Sequence, residues 1–293
     1  MLKYLFFTPL LVLSACFAPK VIKQEQVLFD QLIKGNDKIS RHVLQVGQDE
    51  LFYAASGDAQ KPSMIIIHGT PGDWEQYARY LLDQTLLEQF YVIVIDRPGW
   101  GQSVLGGDRQ IASFSEQAAI ISALAKQLKD GNGDQPVILM GHSLGASIAP
   151  RVAMNHPQAV DGLLLFAGTL SPDLSDPRWF NRVAKAPGIN FLIGDMMRKS
   201  NQEILALKSE MTAMEPLWPR VNAETIVVQG MKDQLVYPEN ILFAENKLNP
   251  DVTEAIRLEQ EGHLFPMTLR SDVANWAACL LSRITSGLEH CRR

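Results

Sequence analysis

Apolar residues along this chain occur in short runs separated by longer segments with helical spacing. Eight runs have the length of strands, and they cover residues 41–46, 50–55, 63–67, 91–95, 136–140, 162–167, 225–229 and 253–258. Helical spacing predicts helices over residues 74–90, 115–129, 144–155, 238–248 and 271–285. This alternation predicts an α/β fold, with an eight-stranded, mostly parallel sheet and helices on both faces.

Two of the runs are apolar at every position, MIII at 64–67 and VIVI at 92–95. Strands of this kind belong in the middle of a parallel sheet, where helices cover both faces. The first two runs are too close together for a helix between them. We therefore expect them to form an antiparallel hairpin at the edge of the sheet.

Residues 169–224 interrupt the alternation, because 56 residues separate two predicted core strands. Ile204, Leu207, Met211 and Met214 have helical spacing, and Ser200 with Glu203 could form a capping box at the start of that helix. We interpret the segment as a helical cap over the carboxyl ends of the strands, where open α/β sheets bind ligands. Extra structural bulk is the alternative interpretation.

Composition narrows the classes of function. Hydrophobic residues make up 46 % of the 293 residues and charged residues 20 %, which is typical of a globular protein. The net charge is −5 and no long basic run occurs, so nucleic acid is not expected as a partner. The six histidines are scattered and no Cys-x-x-Cys pair occurs, so no metal is expected. No glycine-rich nucleotide-binding loop follows a strand, and no cofactor is expected.

The first residues have the layout of a secretory signal. Lys3 is followed by an apolar run that, as a helix up to Cys16, would span only about 18 Å, well short of a bilayer core of about 30 Å. The sequence LSAC at 13–16 resembles the lipobox of bacterial lipoproteins. The resemblance implies cleavage after residue 15, a lipid on Cys16, and a protein anchored in a membrane and facing the periplasm, with the outer membrane favoured over the inner. A plain secretory signal and an uncleaved anchor are the alternatives.

The rest of the chain divides as follows. Residues 16–40 are expected to form a tether and a short helix, residues 41–168 and 225–287 the α/β core, 169–224 the cap and 288–293 a polar tail. With Cys16 lipidated, Cys279 and Cys291 could form a disulfide in an oxidising compartment or remain free thiols. The sequence leaves that choice open.

The sequence GHSLG at 141–145 joins a predicted strand to a predicted helix. A Gly-x-Ser-x-Gly sequence at such a turn is the signature of a nucleophile elbow, which exposes the serine hydroxyl above the sheet. The backbone N–H of Leu144 would then lie at the start of a helix and point towards a developing oxyanion. In the alternative interpretation, Ser143 only caps the helix.

This elbow, together with HGTPG at 68–72 and DRPGWGQS at 96–103, makes the chain resemble the α/β-hydrolase superfamily over residues 41–287. In that superfamily the order along the chain is serine, acid, histidine. The resemblance implies that His263 is the base, since His290 lies in the polar tail and the other histidines come too early. It implies Asp233 as the acid, in preference to Glu239, Glu245, Asp251 and Glu261.

The resemblance also assigns the residues around this triad. Thr70 matches the position whose backbone N–H is the second oxyanion donor, and His68 is expected to brace that loop. Asp96 and Arg97 match a structural segment, which we interpret as a salt-bridged turn. Met211, Met214 and Trp218 of the cap are candidate substrate contacts.

The expected activity is that of a serine hydrolase that cleaves a carboxylic ester through an acyl-enzyme. Epoxide hydrolases and haloalkane dehalogenases of this superfamily have a carboxylate at the elbow, so Ser143 disfavours both. Thioester, amide or C–C cleavage and cofactor-free perhydrolysis could use the same triad. A non-catalytic binding lipoprotein and a cap that docks a partner protein are further alternatives, and the oligomeric state is left open.

Overall fold

The computed structural model describes residue 33, residues 36–287 and residue 291. The predicted signal peptide, the lipidation site at Cys16 and most of residues 16–40 lie outside the described residues. The chain divides into two units, residues 1–39 and 40–293. In the first unit, a turn is closed by the Ile39 N–H, which donates to the carbonyl oxygen of Asn36 at 3.1 Å.

Eight strands of the second unit form one open sheet in the order β1-β2-β4-β3-β5-β6-β7-β8. The strands are β1 Ser40–Val46, β2 Asp49–Ser56, β3 Ser63–Ile67, β4 Tyr91–Ile95, β5 Val137–His142, β6 Gly162–Phe166, β7 Glu224–Gly230 and β8 Thr253–Leu258. β1 pairs antiparallel with β2, and β2 antiparallel with β4, whereas the pairs from β4 through β8 are parallel. The predicted fold class and the edge hairpin are therefore confirmed.

Helices cover both faces of this sheet, as β6 illustrates. Leu165 belongs to the large buried cluster that also contains residues of the helices before and after β5. The next residue, Phe166, points to the opposite face because side chains alternate along a strand. There its ring packs against Phe265 and Trp276, with ring centroids 5.6 and 5.7 Å away.

The α-helices among the described residues of this unit are α1 Gln84–Leu87, α2 Phe114–Gly131, α3 Leu144–Asn155, α4 Trp179–Ala184, α5 Pro187–Leu192, α6 Gly194–Met214, α7 Asn240–Lys247, α8 Phe265–Thr268 and α9 Arg270–Ser286. Short 3₁₀ helices span Trp74–Leu82, Pro157–Ala159, Pro172–Leu174 and Glu215–Arg220. None of the helices in the described part of the chain has the length and apolarity needed to cross a bilayer.

Two predicted helices differ from the structure. The segment 74–90 is broken at Asp83, whose extended backbone ends the 3₁₀ helix and whose side chain accepts from the Leu86 N–H of α1. In the insertion, α6 begins at Gly194 rather than at Ser200. Ser200 and Glu203 are therefore not a capping box: both are buried inside the helix. By contrast, α3 has the predicted limits and runs through Pro150.

Cys279 and Cys291 form a disulfide, with Cα atoms 5.6 Å apart. Cys279 lies on α9, and the backbone N–H of Cys291 donates to a carboxylate oxygen of Glu254 on β8 at 3.0 Å. The disulfide therefore links Cys291 to the last helix, and the hydrogen bond links it to the last strand. It resolves the choice that the sequence leaves open.

Candidate active site

Ser143 lies at the turn between β5 and α3 with φ 56° and ψ −123°, in the left-handed half of the backbone map that L-residues rarely adopt. Its backbone N–H donates to the carbonyl oxygen of Phe166 at 2.9 Å. Its side chain makes no capping hydrogen bond to the helix, so the capping alternative is excluded. The strained turn therefore leaves the hydroxyl available for chemistry.

The flanking glycines allow this turn because other backbone atoms press against them. A Cβ at Gly141 would lie 2.4 Å from the carbonyl oxygen of Gly145, and a Cβ at Gly145 would lie 2.1 Å from that of Ile67. Both distances are far shorter than van der Waals contact. The Gly-x-Ser-x-Gly pattern is thus a packing requirement between β3, β5 and α3.

Asp233 and His263 are brought together from the loops after β7 and β8. His263 Nδ1 lies 2.8 Å from Asp233 Oδ2. The other carboxylate oxygen accepts the backbone N–H groups of Leu235 and Val236 at 2.8 and 2.9 Å. Burial alone would raise the pKa of Asp233, but the hydrogen bond from His263 and these amides lower it. Asp233 is therefore an anion that orients the His263 ring.

The contact between the serine turn and the His263 loop runs through His142. The ring nitrogen Nε2 of His142 lies 2.8 Å from the backbone oxygen of His263, and the two imidazole rings are 4.8 Å apart. The hydrogen bonds of the described residues do not include one between Ser143 Oγ and His263. Nucleophile–base hydrogen bonds are often long in free enzymes and shorten in the substrate complex. The structure thus brings the two loops together without joining the two reacting groups.

The sequence gives no indication of this role for His142. Tyr77 Oη lies 2.6 Å from His142 Nδ1, so the tyrosine hydroxyl donates to Nδ1 while Nε2–H donates to the His263 carbonyl. Burial, with repulsion from His263, lowers the pKa of His142 to about 3. His142 is therefore a neutral imidazole that holds the His263 loop against the elbow.

The lowered pKa of His142 makes the stability of the fold depend on pH. Unfolded histidine titrates near pH 6.5, whereas folded His142 titrates at about 3, so the unfolded state binds the proton first as the pH falls. We expect the unfolding free energy of the wild type, minus that of His142→Gln, to be largest above about pH 6.5. It should shrink by up to roughly 5 kcal/mol towards pH 3. Urea unfolding across this range measures it, and a pH-independent difference would contradict the assignment.

The two residues predicted to supply oxyanion donors, Leu144 and Thr70, follow Ser143 and Gly69 directly in the chain. Leu144 is the first residue of α3, so its N–H has no acceptor within the helix. On the other side, Gly69 lies so close that a Cβ there would be 2.9 Å from Ser143 Cβ and 3.3 Å from its Oγ. Thr70 follows directly, and its buried hydroxyl oxygen has no hydrogen-bond partner among the described residues.

The HGTPG loop is held by Arg97. The guanidinium donates to the carbonyl oxygens of His68 and Gly69 at 2.9 and 3.0 Å. His68 Nε2 accepts the Arg97 backbone N–H at 2.9 Å, and burial lowers the pKa of His68 well below its usual value. His68 braces the loop as a neutral ring.

The prediction of a salt-bridged turn at Asp96 and Arg97 is wrong, because Arg97 pairs with a residue of the insertion instead. Arg97 forms a bidentate ion pair with Glu203 of α6. Its Nη1 and Nη2 donate to the two carboxylate oxygens at 2.6 and 3.1 Å, and both side chains are fully buried. Asp96 instead accepts the backbone N–H groups of Trp74 and Gln102, both at 2.8 Å. Trp100 Nε1 also donates to Glu203 at 3.1 Å, so one carboxylate from the insertion anchors α6 to the core.

The three candidate substrate contacts, Met211, Met214 and Trp218, are all buried in the main apolar cluster. Trp218 packs against Phe243 with ring centroids 5.7 Å apart, and its indole Nε1 is buried with no hydrogen-bond partner among the described residues. The structure thus gives these side chains a packing role, and a substrate contact stays a prediction. Among the described residues, no group of three or more His, Cys, Asp or Glu side chains could hold a metal ion.

Comparisons with known proteins show what this chain is similar to. A sequence model of the hydrolase family described as serine aminopeptidase, S33, matches residues 58–201, just under half of the chain. The matched interval contains the Ser143 elbow and ends before Asp233 and His263. A solved structure described as a membrane phospholipase A, a bacterial virulence factor, is similar with a TM-score of 0.65 and 20 % sequence identity. The match covers 94 % of this chain and 96 % of the chain of that structure.

Two curated relatives match shorter regions. Epoxide hydrolase 3 of Xenopus tropicalis is 30 % identical over 113 residues, which are 39 % of this chain and 29 % of the relative. Lysophosphatidylserine lipase ABHD12 of Gallus gallus is 31 % identical over 106 residues, 35 % of this chain and 26 % of the relative. The chain thus spans less than a third of either relative.

Proposed function

We propose that this protein, an enzyme of the α/β-hydrolase superfamily, is a serine hydrolase that cleaves carboxylic esters through an acyl-enzyme on Ser143. One observation carries the proposal. The strained elbow that presents the Ser143 hydroxyl lies against a loop whose imidazole, His263, is already oriented by a buried carboxylate, Asp233. A hydroxyl, an imidazole and a carboxylate in this order are the components of nucleophilic acyl transfer.

In the proposed reaction, Ser143 Oγ attacks the ester carbonyl while His263 Nε2 accepts the hydroxyl proton. Asp233 stabilises the imidazolium, and the N–H groups of Thr70 and Leu144 bind the oxyanion. Collapse of the tetrahedral intermediate breaks the bond to the alkoxy group, which leaves with the proton from His263. A water molecule, deprotonated by His263, then releases the acid and restores Ser143.

The residue at the elbow favours acyl chemistry over the epoxide opening that one relative's name describes. Ser143 supplies a hydroxyl where the epoxide hydrolases of this superfamily have a carboxylate. The phospholipase A and the lipase among the similar proteins have names of enzymes that act on lipid esters. The alternatives are cleavage of a thioester, an amide or a C–C bond, perhydrolysis, and a non-catalytic binding lipoprotein. Which substrates the protein turns over distinguishes these alternatives.

The bond and the acyl length are tested with p-nitrophenyl esters of increasing chain length, alongside a matched thioester and p-nitroanilide. We expect the esters to be hydrolysed with kcat/KM at least about tenfold above the anilide, since the leaving group of an ester needs less assistance. Turnover of the anilide alone would instead favour a peptidase. No turnover of any substrate by the folded protein would favour a binding protein.

We further propose that the mature chain begins at Cys16, carries lipid there and faces an oxidising compartment. The LSAC sequence at 13–16 is the basis for the anchor. The Cys279–Cys291 disulfide is consistent with the location, because disulfides persist mainly outside the reducing cytosol.

A further inference from the structure

The insertion exposes an unusual amount of apolar surface. Among the residues that the structure describes, thirteen large apolar side chains are exposed, and seven of them lie within residues 179–197, which we call the cap patch. Leu192 is 80 % exposed and Trp179 71 %. Single exposed apolar side chains are ordinary, but seven of them within one short segment indicate a surface that binds an apolar partner.

The cap patch lies beside the candidate active site. Arg178, directly before α4, donates to the carbonyl oxygen of Gln234 at 2.7 Å and lies over the ring of Tyr237. Gln234 follows Asp233 in the chain, so the patch borders the loop that carries the acid. Three further exposed apolar residues, Leu235, Tyr237 and Leu264, lie in the loops of Asp233 and His263. Exposed apolar side chains therefore lie on the loops of the candidate site as well as on the cap patch.

The cap patch and the residues that flank it carry charge of the opposite sign to that of the chain. Residues 179–197 contain two basic residues and one acidic residue, and residues 178, 198 and 199 add three basic residues, whereas the whole chain has a net charge of −5. Arg182 and Lys185 are exposed beside Trp179 and Phe180, and Asp195 is engaged with Arg198 at 3.0 Å. A surface that combines Trp, Phe and Leu with Lys and Arg matches the boundary of an anionic bilayer, where apolar side chains enter the acyl region and cations meet the headgroups.

We propose that the cap patch docks on an anionic lipid bilayer, with Trp179 and Leu192 inserted at the headgroup boundary. The excess of positive charge argues against a second copy as the occupant, because two such faces would repel each other. In this orientation the loops of Asp233 and His263 face the bilayer. Docking requires only the exposed side chains of the cap patch and does not depend on the proposed catalytic function.

Trp179 provides a local reporter for this proposal. The other four tryptophans are buried or partly buried, so a change in emission on docking arises from Trp179. The parent protein is residues 16–293 with Cys16→Ser, which lacks the apolar signal sequence and the proposed lipid attachment, and with Ser143→Ala, which prevents turnover of the probe. The probes are vesicles of phosphatidylcholine alone and of phosphatidylcholine mixed with phosphatidylglycerol.

We expect mixed vesicles to shift the emission to shorter wavelength, and Trp179→Phe to abolish the shift while retaining co-sedimentation. Trp179→Ser with Leu192→Ser should weaken co-sedimentation at least about tenfold. Arg182→Gln with Lys185→Gln should weaken it about thirtyfold, on mixed vesicles only. The matched control is Val43→Ser with Val104→Ser, which removes two exposed apolar side chains outside the patch and should change nothing.

Three results would overturn the proposal. These are no emission shift with mixed vesicles, equal binding by the Trp179/Leu192 variant and the control, or a patch variant that changes only the oligomeric state measured by light scattering. The last result would identify the patch as a contact between copies of the chain. Because every variant contains Ser143→Ala, none of these results depends on whether the protein is an esterase.

Discussion

Replacing Ser143 with alanine is expected to lower kcat/KM for p-nitrophenyl esters by about 10⁴- to 10⁶-fold, the range seen when the nucleophile of a triad is removed. The substitution deletes one oxygen that makes no capping bond to α3, so the thermal midpoint should remain within a few degrees of the wild type. The loss should appear in kcat, because the acyl-enzyme can no longer form. Steady-state kinetics and a thermal scan of the same preparation measure both quantities.

Ser147→Ala is the matched control for this experiment. Ser147 lies one turn further along α3, and its hydroxyl donates to the carbonyl oxygen of Thr169 at 2.6 Å. We expect this variant to lose about 1 kcal/mol of stability, as is usual for one hydrogen bond, while retaining its activity. If Ser143→Ala retained more than a few per cent of wild-type activity, Ser143 would not be the nucleophile.

The second large effect concerns the joint between the insertion and the core. Glu203→Ala leaves the fully buried Arg97 guanidinium without its counter-ion, and removing one member of a buried pair costs about 3–5 kcal/mol. Activity should fall as well, because Arg97 also holds the carbonyl oxygens of His68 and Gly69 beside Ser143. Urea unfolding near neutral pH measures the loss of stability.

An exposed ion pair on the same helix provides the comparison. Lys208 on α6 pairs with Asp176 at 2.8 Å, and both side chains are about half exposed. Lys208→Ala should cost less than about 1 kcal/mol, because water already solvates both charges. If the two variants lost equal unfolding free energy, burial would not be the reason that the Arg97–Glu203 pair matters for stability.

The sheet could be predicted from the sequence because burial on both faces requires apolar runs such as residues 64–67 and 92–95. All eight strands appear within two residues of their predicted limits, since the pattern of each is local. The helical spacing of residues 74–90 does not predict the interruption at Asp83. It depends on one side chain that accepts the Leu86 N–H, a choice that periodicity does not reveal.

The sequence predicts candidate site residues only where a local motif or the order along the chain indicates them. The GHSLG turn indicates the position of Ser143, and chain order leads to Asp233 and His263, which the structure joins at 2.8 Å. The Arg97–Glu203 pair joins residues 106 positions apart, and the spacing of Glu203 from Ser200 predicts a capping box instead. His142 occupies one of the unspecified positions of the Gly-x-Ser-x-Gly pattern, so the pattern does not indicate its contacts with Tyr77 and His263, which exist only in the folded chain.

The position of covalent labelling by a fluorophosphonate tests the central claim most directly, because this reagent phosphonylates a serine that an adjacent base activates. Mass spectrometry of the digested wild-type protein should find one adduct, on Ser143, and His263→Ala should slow its formation at least about a hundredfold. An adduct on another residue, no adduct on the folded protein, or an unchanged rate in the His263 variant would contradict the account.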